Sequence, residues 1–332
     1  TLFQALAALI FVDISLSVYS LLNGKFNENL PLILTLGAVA TATAPAATLM
    51  VVKQYKAKGK LTDILLPVVA LDDAVGLIVF AVSFGVAKSM GNGNFEILNV
   101  IFEPIFEVIG SIALGFVMGL LFTECEKFFH SSSKRIAVSV TFVLLTVGIS
   151  SLSFNWLGLH FGFSSLLSCM MLGTVFCNEC DVSEELMERA DRWTAPILIL
   201  FFVISGAELE LSIFANIFVV LIGIVYIIFR SIGKYMGANL SARLVKCDPK
   251  IVKYLGITLL PQAGVALGMA IKAKELGPEG NIVRNITLFA VLIYELVGPF
   301  LTKIALIKSG DIDMNGIISA RGEKLRNNKI QE

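Results

Sequence analysis

Apolar runs at about 1–22, 30–52, 61–87, 99–123, 136–152, 158–177, 194–207, 214–242, 254–271 and 285–307 decide what this chain can fold into. Most reach the roughly 17–25 residues that a helix needs to cross about 30 Å of hydrocarbon. Of the 332 residues, 56% are hydrophobic and only 16% are charged, against about 25% charged in ordinary soluble domains. That much apolar surface does not fit inside a soluble core. The expected fold class is therefore an all-α polytopic membrane protein with about ten transmembrane spans. The shortest run, 194–207, follows the acidic stretch SEELMERADRW, which reads as a separate interfacial helix.

Lys plus Arg and Asp plus Glu number 26 each, so no net charge points to nucleic acid. The distribution is more informative. With ten crossings, nineteen of the 26 basic residues fall on one side, from Lys53 and Lys60 to Arg326 and Lys329. Five fall on the other: Lys25, Lys88, Lys272, Lys274 and Arg284. The excess of Lys and Arg marks the cytoplasmic side, so both ends of this chain are expected there, in a cell membrane. The remaining two, Arg230 and Lys234, lie inside a span. Among the five cysteines the one close pair is CNEC, Cys177 and Cys180, without a second pair to complete a metal site. Reduced thiols and no cofactor are expected. The start at Thr1 has no charged region or cleavage site, so no signal peptide is expected.

Two spans carry breaking signals. The second reads LGAVATATAPAATLMVV, with Thr41, Thr43 and Pro45 near its middle, and the ninth reads GITLLPQAGVALGMA, with Pro261, Gln262 and Gly264. Proline removes a backbone donor and clashes with the preceding turn, and unwound backbone is tolerated in lipid only beside a polar cavity. Each broken span is the middle of a trio, and the second trio starts seven crossings after the first. Seven is odd, so the trios run in opposite senses. This is the inverted repeat of secondary transporters, whose sites lie near the midplane; simple kinking of two helices is the plainer alternative.

The third span places Asp72 and Asp73 side by side in VVALDDAVGLIVF. Counted from Lys60 they lie about 18 Å deep at 1.5 Å per residue, where an acid costs at least ~2.5–3.5 kcal/mol. Neighbouring helical residues point about 100° apart, so one carboxylate can face a cavity while the other turns to a neighbouring helix. Burial and like charge favour the protonated form of a carboxyl, a nearby ammonium favours the ionised form, and such groups titrate as a set. Thr41, Thr43 and freed carbonyls are candidate oxygen ligands for a monovalent cation. Glu295 in the tenth span is a candidate partner for Lys234 or Arg230. Glu103, Glu107, Glu208 and Glu210 are expected to be solvated near the outer interface, and Asp13 fits an outer-interface position. His130 is expected in a cytoplasmic loop and His160 near the outer face.

LDDAVGL, TATAPAA, IGKYMGA and PQAGVALGMA, in that order over nearly the whole chain, resemble the motifs of bacterial monovalent cation/proton antiporters, especially the paired-aspartate electrogenic sodium/proton exchangers. The resemblance implies Asp73 as the carrier of cation and proton, and hence as the metal-binding residue for a monovalent cation. It implies an Asp72–Lys234 ion pair that breaks when the cation binds, with Arg230 as a structural anchor or second partner. Attraction near ~4 kcal/mol at an effective dielectric of about 20 suffices to bias protonation. Two departures stand out: Ala44 occupies the place of an acid that many exchangers carry before the proline, and at least two N-terminal spans of the family precede the point where this chain begins. The implied function is secondary active exchange of Na+, or K+ or Li+, for H+ by alternating access. The alternatives are a K+/H+ antiporter or a sodium-coupled organic anion symporter, while a channel or a scaffolding subunit would show no exchange. The expected organisation is a first repeat at 1–88, a panel at 97–207 that forms a homodimer within membrane lipid, a second repeat at 212–308 and a cytoplasmic tail at 309–332. No constellation for enzymatic catalysis is present.

Overall fold

The computed structural model describes residues 1–24, 26–91, 97–129, 131–152, 154–156, 159–207 and 217–312. In chain order the helices are α1 (Leu2–Leu22), α2 (Phe26–Ala40), α3 (Pro45–Gln54), α4 (Lys60–Gly91), α5 (Ile97–Glu126), α6 (Ser132–Ser150), α7 (Ser165–Glu179), α8 (Ser183–Ala207), α9 (Ile217–Leu244), α10 (Pro249–Thr258), α11 (Gly264–Ala273) and α12 (Pro278–Ser309). Between α6 and α7 a short antiparallel hairpin pairs β1 (Phe154–Trp156) with β2 (Leu159–Phe161). Six helical stretches among the described residues are long and apolar enough to cross a membrane, including the interrupted Phe26–Gln54.

Both expected interruptions are present. The chain leaves helical geometry at 41–44 between α2 and α3, and at 259–263 between α10 and α11. Pro45 is the first residue of α3, where its missing N–H costs nothing, and Ala44 before it is extended at φ −94°, ψ 102°. Gly264 opens α11, preceded by a non-helical Ala263. The two breaks touch directly, since the Ala44 N–H donates to the Pro261 carbonyl at 2.8 Å. Ala44, Ala47 and Ala263 pack together at the crossing, so small side chains let the two backbones approach.

Apolar packing divides around this crossing. One cluster joins Leu36 and Val39 of α2, Leu77 and Phe80 of α4, Ile222 and Tyr226 of α9, Leu267 and Met269 of α11, and Ile286 of α12. A second joins Val51 of α3, Leu61 and Leu65 of α4, Ala238 of α9, Leu255 of α10 and Leu306 of α12. Along α4 the gap between the clusters holds Asp72 and Asp73, and along α9 it holds Arg230 and Lys234. The four charges thus share a layer with the breaks. A third cluster, Met118, Phe122, Leu172, Phe176 and Leu186, belongs to α5, α7 and α8, with Phe142 of α6 packed on it.

Two expectations change. SEELMERADRW is not a separate interfacial helix but the first half of a continuous α8. Arg189 pairs with Glu185 and Arg192 with Glu188 one turn earlier, which supports uninterrupted helix. The apolar run at 158–177 is not one helix: it contains β2, and α7 starts only at Ser165, where Ser164 caps it by accepting from the Leu167 N–H. Beyond α12 the described residues stay packed. Asp311 accepts from the Thr62 N–H at 2.7 Å and the Thr62 hydroxyl at 2.8 Å, tying the end of α12 to the first turn of α4. Nearby, Asp248 caps α10, and the Lys250 N–H holds its carboxyl below the usual carboxylate range.

Candidate ion-translocation site

Asp72, Arg230 and Lys234 are each fully buried. The Lys234 ammonium lies 3.0 Å from Asp72 Oδ2, and it also donates to the Thr41 carbonyl at 2.5 Å and the Thr43 hydroxyl at 2.7 Å. Asp72 accepts in addition from the Thr43 hydroxyl on Oδ2 and from Gln4 Nε2 of α1 on Oδ1. The structure therefore brings together four of the expected residues, Asp72, Thr41, Thr43 and Lys234, and adds Gln4. The Thr41 hydroxyl itself turns back to the Ala38 carbonyl at 2.7 Å.

Arg230 makes no ion pair with Asp72. Its Nε donates to the Ala40 carbonyl at 3.1 Å, Nη2 to Ala42 at 2.6 Å and Nη1 to Leu260 at 2.8 Å. These carbonyls end α2 and α10, the two half-helices whose negative dipole ends face each other at the crossing. One planar cation satisfies both breaks at once. Gln262 adds a second tie, donating to the Val39 carbonyl at 2.9 Å and to Tyr226 Oη at 3.0 Å. Thr48 reaches across to the Thr258 carbonyl at 3.2 Å.

Asp73 is placed differently from its neighbour. It is only half-buried, yet its Oδ1 is buried and has no hydrogen-bond partner among the described residues. Asp72 and Lys234 lie within electrostatic reach. Phe80, seven residues on and thus on the same face of α4, lines a cavity of about 680 Å³ together with Phe84, Glu107, Gly268, Lys272 and Glu275. Residues of α4, α5, α7 and α11 line this cavity together. Across it Lys272 of α11 donates to Glu107 of α5 at 2.7 Å, with the two side chains 27% and 18% exposed. Glu107, expected to be solvated near the outer interface, instead bridges α5 and α11.

Glu295 is not the α12 side chain that reaches the cations. Tyr294 is: its ring lies 4.4 Å from the Arg230 guanidinium. Glu295 Oε1 is buried without a hydrogen-bond partner among the described residues. Asp13 sits midway along α1 with its carboxyl against Gly37 of α2, not at an interface. The side chains of Glu103 and His160, and all of Glu208, Glu210 and His130, lie outside the described residues. Among the described residues no group of three or more His, Cys, Asp or Glu is placed to hold a metal ion. Cys180 Sγ instead lies 3.7 Å from Glu126 Oε2.

Two interrupted helices crossing beside a buried acid–lysine pair are the arrangement of a secondary membrane transporter. Residues 1–308 match the family described as sodium/hydrogen exchanger, transmembrane, and the chain belongs to that family. It is 21% identical over 276 residues to a Na(+)/H(+) antiporter of Enterococcus hirae, covering 80% of this chain and 67% of that protein. Its fold matches that of the sodium proton antiporter MjNhaP1 from Methanocaldococcus jannaschii at pH 8, with a TM-score of 0.69 and 16% identity, over 92% of this chain and 77% of that one.

Proposed function

We propose that this chain exchanges sodium for protons by alternating access, with Asp73 as the group that holds either the cation or a proton. One observation carries this reading. Every donor that reaches the acid pair in the described residues goes to Asp72, whose two oxygens accept from Gln4, Thr43 and Lys234, whereas Asp73 Oδ1 is buried and unpartnered. A buried carboxylate oxygen without a partner is costly, and binding a proton or a metal cation removes that cost. The two occupants compete for the same atoms, which couples their movements.

Cation binding at Asp73 weakens the hold of Lys234 on the acid pair, and the released Lys234 exchanges its charge with the site. The helices around the crossing then move against α5–α8, with the 680 Å³ cavity marking the plane of movement. A panel of α5–α8 that holds a homodimer, and chain ends on the cytoplasmic side as the Lys and Arg count predicts, complete the reading. Sodium is preferred because the named relatives are sodium antiporters.

The test is proton flux in proteoliposomes driven by sodium, lithium or potassium. Sodium-dependent flux is expected in the native protein and its loss in Asp73→Asn. Flux driven by potassium alone would replace sodium as the substrate, and cation-dependent flux that survives Asp73→Asn would remove Asp73 as the carrier.

A further inference from the structure

We infer that Gln4 is a positioning residue for exchange: its carboxamide orients Asp72 and shares the Asp72 charge when Lys234 lets go. The inference rests on the reading of Asp73 and of the Asp72–Lys234 pair given above.

Gln4 is 2% exposed and donates from Nε2 to Asp72 Oδ1, across 68 residues of sequence. Its own Oε1 is buried and has no partner among the described residues. A leucine would fill similar space without stranding a polar atom, so a space-filling role alone does not account for the amide. The donor does account for it, because Oδ2 is already taken by Thr43 and Lys234 and Gln4 holds the other oxygen.

The delivery of Gln4 is built into α9. Gly233 and Gly237 bracket Lys234, and both face α1. A Cβ on Gly237 would lie 2.6 Å from the Gln4 Cα, and one on Gly233 would lie 2.7 Å from the Ala8 Cα. The backbones touch because neither glycine has a side chain, the small-residue contact that packs membrane helices. The same contact therefore sets the positions of Lys234 and Gln4, the charged and the neutral donor to Asp72.

Their roles differ once a cation arrives. Before binding, Asp72 is held by an ammonium and two neutral donors. After Lys234 withdraws, only Thr43 and Gln4 remain, and hydrogen bonds to an ionised acceptor are the strong ones. Loss of the Gln4 donor thus penalises the cation-loaded state more than the resting state. The half-saturating cation concentration rises, while the rate at saturation changes little.

The experiment uses the full chain in proteoliposomes with sodium chloride and lithium chloride. In Gln4→Leu and Gln4→Met the half-saturating concentration is expected to rise about tenfold, the scale of one charge-assisted hydrogen bond, with a maximal rate reduced less than threefold. Gly237→Ala, which pushes α1 away but keeps the amide, is expected to move it in the same direction. The inference is overturned if the half-saturating concentration stays within twofold of the native value, if only the maximal rate falls, or if neither Gln4 variant folds. If Asp73→Asn retains exchange, the parent reading fails instead, and the two failures are told apart by running that variant alongside.

Discussion

Arg230 and Lys234 are four residues apart on α9 and both are fully buried, yet they are used differently. Lys234 is a point charge shared among an acid, a hydroxyl and one carbonyl. Arg230 is a planar fork whose three nitrogens each meet a different carbonyl at the helix breaks. A lysine at 230 has one donor group and cannot span both breaks. Arg230→Lys is therefore expected to lose two of the three bonds and about 2–6 kcal/mol of stability, at ~1–3 kcal/mol per buried group left unsatisfied. The check is the thermal unfolding midpoint in detergent. An unchanged midpoint would mean that the carbonyls find other donors. The residue scale was partly legible beforehand. Charges inside apolar runs reveal themselves because lipid leaves few reasons to keep them, and the GKxxGA setting pointed to Lys234 as the partner of Asp72. Gln4 gave no such signal, since one neutral amide near the start of an apolar run has no periodicity.

At the scale of elements, proline alone does not explain the two breaks. Pro31, Pro67, Pro196 and Pro299 lie inside continuous helices, whereas Pro45 and Pro261 stand at interruptions. The difference is what becomes of the freed backbone groups. At 41–44 and 259–263 they meet Arg230, Lys234, Gln262 and one another, so unwinding leaves few polar groups stranded. The second break also depends on how closely α12 approaches. A Cβ on Gly298 would lie 2.9 Å from Pro261 Cγ and 3.1 Å from its Cα. Gly298→Ala is expected to force α12 off the break, to cost about 1–3 kcal/mol by overpacking, and to slow exchange. Calorimetry of the purified protein measures the first effect and proteoliposome flux the second. Native values in both would show that α12 yields without disturbing the break. The continuous α8 belongs to this scale too. Its acidic first half looked interfacial by composition, but one-turn Glu–Arg pairs carry the helix through.

At the scale of the whole molecule, α5, α7 and α8 share an apolar cluster of their own, while Leu167 of α7 also joins the cluster at the crossing. The Glu107–Lys272 pair joins α5 to α11 across the cavity. If exchange requires α11 to slide against α5, a short covalent tether at this point must stop it. With Cys125, Cys169, Cys177, Cys180 and Cys247 replaced, Glu107→Cys with Lys272→Cys is expected to sustain sodium-driven proton flux until a short bis-maleimide links the thiols. Flux that continues in fully linked protein would place the movement elsewhere. The charge pair itself contributes little stability at its partial exposure, within the ~0–1 kcal/mol of exposed ion pairs, so its value lies in its position.

What the amino-acid order alone determined is what depends on local solvation and covalent geometry. Long apolar runs must cross lipid, proline with its small and hydroxylic neighbours marks where helix can stop, and carboxylates inside apolar runs announce a polar site. What only the tertiary structure decided is which buried group meets which. Arg230 went to three carbonyls 30 to 190 residues away, Tyr294 rather than Glu295 reached it, Glu107 found Lys272, and Gln4 found Asp72. Those pairings depend on how the helices pack against one another in space. Hydrogen bonds and ion pairs act over a few ångströms, so partners far apart in the chain stay hidden until the fold brings them together.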